Sequence, residues 1–71
     1  MLEIYKTNVK TKAESRKVVR SLQAIFPSAV INFDLQDCDK ILRVNGIKAS
    51  ETTGVICHLL QLGHHCEILP F

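Results

Sequence analysis

Hydrophobic spacing changes from a period of two to a period of 3.6 at Thr11-Lys12-Ala13-Glu14, and this changeover constrains the fold most. A threonine followed three residues on by glutamate, ahead of an apolar run, is a capping box. In it the Thr11 hydroxyl accepts from the Glu14 amide and the Glu14 carboxylate accepts from the Thr11 amide. Upstream, Met1 to Val9 alternate as a strand, with Leu2 and Ile4 inward and Glu3, Tyr5 and Thr7 outward. Downstream, Val18, Leu22 and Ile25 recur at helical spacing, widened by Val19 and Phe26, until Pro27 ends the helix.

The remaining chain repeats the change. Ala29, Ile31, Phe33 and Leu35 alternate with Val30, Asn32 and Asp34 as a half-buried strand, and Gln36 to Asp39 form a polar turn. Leu42 and Val44 point a third strand inward, broken at Asn45-Gly46. Ser50 is the expected cap of a second helix, with Glu51 in its first turn and Val55, Ile56, Leu59, Leu60 and Leu62 on its apolar face. Gly63 suits its C-terminal cap, and Cys66 and Ile68 point inward from a last strand ending at Phe71. The order is βαββαβ. The fold class is therefore α+β: a ferredoxin-like sandwich of one four-stranded antiparallel sheet with two helices on one face, as a single domain of residues 1–71. Alternation puts Tyr5, Val30, Ile41 and Leu69 on the open face, interrupted by Glu3, Asn32, Asp34, Arg43 and Glu67. A contiguous apolar patch there would signal self-association or a partner.

The apolar fraction of 46% with 23% charged fits a folded chain and argues against disorder. No apolar run approaches the roughly 18 residues of a membrane span, and no basic-then-apolar leader opens the sequence. Three cysteines, at 38, 57 and 66, do not read as a disulfide framework. A cytoplasmic location is the expectation.

Val9, Thr11, Glu14, Val18 and Leu22, followed by Pro27 and Val30, resemble the heavy-metal-associated domain of copper and zinc chaperones. That family carries M-x-C-x-x-C-x-x-x-V-x-x-x-L from its first strand into its first helix. Thr11 and Glu14 stand at the two cysteine positions and Val9 at the methionine. The resemblance implies the fold above, with Gly63-His64 beside the metal loop. Soft thiolates select Cu(I), so a hydroxyl and a hard carboxylate do not replace them. No metal is expected by the family motif; the alternative is a transition ion held weakly by Glu14 and His64, which the resemblance brings face to face. His65 and Cys66 are expected to point to opposite faces and stay out of such a site.

No catalytic constellation is present, so the expectation is a non-catalytic module. Cys66 reads as a core residue, Cys57 as partly buried, and Cys38 as exposed between two aspartates that disfavour its thiolate. The positive functional signal is charge. Lys12, Arg16 and Arg20 fall at i, i+4 and i+8 on the first helix, with Lys17 beside them. These four residues are the candidate partner-binding set, and an acidic protein surface is the partner they suit. RNA-recognition motifs share the topology, but Ile41, Arg43 and Asn45 offer no stacking aromatic on the third strand. Acylphosphatases and ACT domains are excluded by their missing phosphate loop and missing glycine after the first strand.

Overall fold

A computed structural model describes residues 2–36 and 38–69. The expected strand start at Met1, the turn residue Asp37 and the strand end at Phe71 lie outside the described residues. The elements run β1 (Leu2–Thr7), α1 (Lys12–Ile25), β2 (Val30–Asp34), β3 (Ile41–Asn45), a 3-10 turn (Ala49–Glu51), α2 (Thr52–Gln61) and β4 (Cys66–Leu69). The four strands form one antiparallel sheet in the order β2-β3-β1-β4. Val18 and Leu22 of α1 and Val55 and Leu59 of α2 share one buried cluster with Tyr5, Ile31, Leu42, Val44 and Cys66. Both helices therefore cover the same face, and the ferredoxin-like α+β arrangement holds.

The first strand presents the opposite face to the one expected. Tyr5 is fully buried and Glu3 and Thr7 are nearly so, whereas Leu2 is 41% exposed. Tyr5 pairs in register with Leu42 on one side and Ile68 on the other, so its ring lies inside the sandwich. A strand has two possible burial faces one residue apart, and here the large ring decides between them. The inward polar groups find partners. The Thr7 hydroxyl donates to the Lys40 carbonyl at 2.7 Å, and Glu3 Oε1 accepts from the Thr52 hydroxyl at 3.4 Å.

The open face therefore differs from the expected one. Tyr5 and Glu3 leave it; Leu2 and Ile4 join Val30, Ile41 and Leu69 there. Ile4 pairs directly with Leu69, and Ile41 stands between Lys6 and Asp34 in register. Ile41 is only 5% exposed although it lies outside the core cluster. The neighbouring ion pairs Lys6–Asp39 at 3.7 Å and Arg43–Asp34 at 3.8 Å frame it with long side chains.

Other differences concern ends of elements. Ile25 is 50% exposed, because α1 stops there and the half-buried Phe26 takes the core position instead. Leu60 and Leu62 are exposed, Cys57 is exposed rather than partly buried, and Ile68 faces the helix layer but lies at the sheet margin, 41% exposed. Ser50 is not the second helix cap. A 3-10 turn precedes α2, and Glu51 Oε1 accepts from the Lys48 amide at 2.7 Å.

Candidate functional site

Three local devices place the groups around the first helix start. Thr11 has extended backbone angles, and its hydroxyl accepts from the Glu14 amide at 3.1 Å, as a helix cap should. The second half of the expected box is different: the Thr11 hydroxyl donates to Glu14 Oε1 at 3.0 Å. The Glu14 carboxylate thus stays beside the cap instead of folding over the Thr11 amide.

The second device ends α2. Gly63 has φ +88, and the Gly63 and His64 amides donate to the Leu60 and Leu59 carbonyls at 3.0 and 2.9 Å. This is a Schellman motif, and it needs the left-handed residue that glycine supplies without strain. The third device is Asn8, whose Oδ1 accepts from the His65 amide at 2.7 Å. It ties the chain leaving α2 to the loop leaving β1. Between these two anchors His64 has little freedom of position.

The result is the juxtaposition expected from the resemblance. His64 Nδ1 lies 3.7 Å from Glu14 Oε2, with the imidazole mostly buried and the carboxylate half-exposed. The distance is too long for a hydrogen bond and suits an ion pair when the imidazole is protonated. Beside the pair is a cleft of about 350 Å³ lined by Glu14, Lys17, Val18, Ser21, Leu62 and His64. Ser21 was missed from the sequence. Its spacing from Glu14 and Val18, at i+7 and i+3, was the signal that could have found it. Asn8 had no local signal at all.

The donor set does not fit a soft metal ion. Among the described residues, no three His, Cys, Asp or Glu side chains come together. Cys38 and Cys57 are exposed elsewhere. Cys66 is buried, and desolvation, helped by the Glu67 charge, pushes its thiol up to about 12, against thiolate ligation. One imidazole and one carboxylate remain, where zinc takes three or four protein ligands.

The four basic candidates are all exposed, and among the described residues none forms an ion pair. They do not share one surface. Lys17 rims the cleft toward α2. At about 100° of rotation per residue, Lys12 and Arg16 lie on the other flank of α1, and Arg20 stands between the two flanks, about 60° from Lys17. Gln23, on that same flank, donates through Nε2 to the Ala29 carbonyl at 2.7 Å, so the flank stands over the start of β2.

No helix among the described residues is long and apolar enough to cross a membrane. Compared with known proteins, the chain matches no protein-family model, no curated protein and no solved structure.

Proposed function

We propose that this chain is a non-catalytic protein-interaction module, similar to heavy-metal-associated domains but without their thiolate site, that docks an acidic protein surface through α1. The observation that carries the reading is the row Lys12, Arg16 and Arg20: solvent-exposed, evenly spaced and unpaired among the described residues. Stacked like charges on a helix cost a few tenths of a kcal/mol per pair in isolation. An opposing acidic surface removes that cost and steers association over a Debye length of about 8 Å at physiological ionic strength.

The test is affinity capture with the parent chain and with the double variant Arg16→Glu, Arg20→Glu, side by side at low and high salt. The reading expects a partner held by the parent at low salt, released at high salt, and absent from the variant. A partner recovered equally by both chains would overturn it.

A second reading has one observation in its favour, the approach of His64 to Glu14 at 3.7 Å. Two ligand atoms about 3.4–3.7 Å apart can share an ion at about 2.1 Å from each, a near-tetrahedral bite. In this reading the domain serves metal homeostasis by holding a borderline ion weakly, with water completing the shell. It ranks second because, among the described residues, only two donors come together there. Titration with Zn(II), Ni(II) and Cu(I), followed by the NMR signals of His64 and the Thr11 to Glu14 amides, separates the readings. Submicromolar binding at these residues would promote the second.

A further inference from the structure

We infer that the outer edge of β2, beneath the basic flank of α1, receives an extended acidic segment of a partner protein as a fifth strand of the sheet. This rests on the docking reading above and specifies how the partner is held. The strand order leaves β2 paired on one side only, with β3. Among the described residues, no backbone group of turns or loops bonds to Val30–Asp34 from the other side. An edge strand of this kind offers a row of free amides and carbonyls to an incoming strand.

Edges are usually blunted by proline, by charged side chains, lysine above all, or by a bulge. Val30–Asp34 carries no proline or lysine and pairs with β3 in unbroken register, and its one charge, Asp34, is held by Arg43 at 3.8 Å. Its outward residue Val30 is 61% exposed, so an apolar side chain already waits beside the free backbone.

The charge above the edge selects the occupant. Gln23 fixes the flank, because it bonds to the carbonyl of Ala29, the residue just before β2, and also to that of Phe26. Around α1, Arg16 lies about 20° from Gln23 and Arg20 about 60° from it, on its solvent side. Basic residues four apart on a helix recur every ~6 Å along its axis. Side chains on one face of a strand recur every ~6.8 Å. A strand added beside β2, with an acid at every second position, therefore repeats its carboxylates at nearly the rise of the basic row, with Arg16 nearest the Gln23 flank. A second copy of this chain does not suit the edge, since pairing β2 with β2 would bring two basic flanks together.

The probe is a capped heptapeptide, Val-Glu-Val-Glu-Val-Glu-Val, titrated into the isotope-labelled chain at low salt and followed by amide NMR shifts. The inference expects shifts in Val30–Asp34 together with Arg16 and Arg20. Two further peptides carry N-methyl groups on alternate residues, one set each. A strand that adds to the edge uses every second amide of the peptide, so one methylated form should bind roughly tenfold more weakly or worse while the other binds like the parent peptide. Absence of binding by the unmethylated peptide would overturn the inference. If both methylated peptides bind equally well and shift only the basic residues, strand addition fails and charge docking stands. If Arg16→Glu, Arg20→Glu binds the unmethylated peptide as tightly as the parent chain does, the docking reading fails with it.

Discussion

Replacing Tyr5 by phenylalanine should stabilise this domain, against the usual direction of core substitutions. The Tyr5 ring is fully buried, yet among the described residues its hydroxyl has no hydrogen-bond partner. Thr52 lies close enough to favour the phenolate, but its hydroxyl donates to Glu3 Oε1 at 3.4 Å. A buried polar group without a partner costs roughly 1–3 kcal/mol, whereas the ring's packing survives in phenylalanine. A gain of about 1 kcal/mol is expected, which in a domain of this size raises Tm by roughly 4–8 °C. The alkaline limb gives an independent check. Burial pushes the Tyr5 phenol up from 10.0 to about 12, with the Thr52 hydroxyl opposing and the Glu3 charge adding to it. Above pH 10 the unfolded chain releases a proton that the folded chain keeps until about 12, so stability is intact below pH 10 and falls between the two values. For Tyr5 alone the fall approaches roughly 3 kcal/mol at the top of that window. Cys66, raised from 9.0 to about 12, adds a fall of the same sign that begins near pH 9. Urea melts of parent and Tyr5→Phe from pH 7 to 11.5 measure both effects. A loss of 1 kcal/mol or more at pH 7, on the order of one ordinary buried hydrogen bond, would refute the reasoning by showing that the hydroxyl is partnered.

Thr11→Ala removes the acceptor at 3.1 Å from the Glu14 amide and the donor at 3.0 Å to Glu14 Oε1; it should cost about 0.5–2 kcal/mol, with Thr11→Ser recovering most of it in thermal melts. Gly63→Ala meets no steric obstacle but must hold φ +88, so it should cost about 1–2 kcal/mol, with Gly63→Asn recovering part. Thr11→Cys with Glu14→Cys should create a C-x-x-C pair whose thiolates are favoured by the helix N-terminus, so a competition titration should find tight Cu(I) binding and a higher Tm with metal. No Cu(I) affinity in a folded double variant would remove the positional match with the metal-binding family.

The order of elements was legible because each boundary carries its own chemistry: Thr11 and Glu14 at one helix start, Pro27 after it, Gly46 and Gly63 at positive φ where strand and helix stop. The face of β1 was not. Leu2 and Ile4 on one side and Tyr5 on the other are both apolar, so alternation alone supports either choice. What decides is tertiary: Leu42 and Ile68 flank the ring, while Glu3 and Thr7 find the Thr52 hydroxyl and the Lys40 carbonyl across the fold. The approach of Glu14 to His64 was visible only through the family resemblance, since 50 residues separate them. The Asn8 clamp on His65 and the split of Lys17 from Lys12 and Arg16 depend on where α2 lies, which no local pattern states.

The most direct test of the docking account is an NMR shift map of the labelled chain with a captured partner at 50 and 300 mM salt. The account predicts that the amides of Lys12, Arg16 and Arg20 shift at low salt and that the complex weakens strongly at high salt, as counterions screen exposed charge. Shifts confined to Leu2, Ile4, Ile41 and Leu69 on the open sheet face, unchanged by salt, would contradict it and assign the interaction to the apolar face instead.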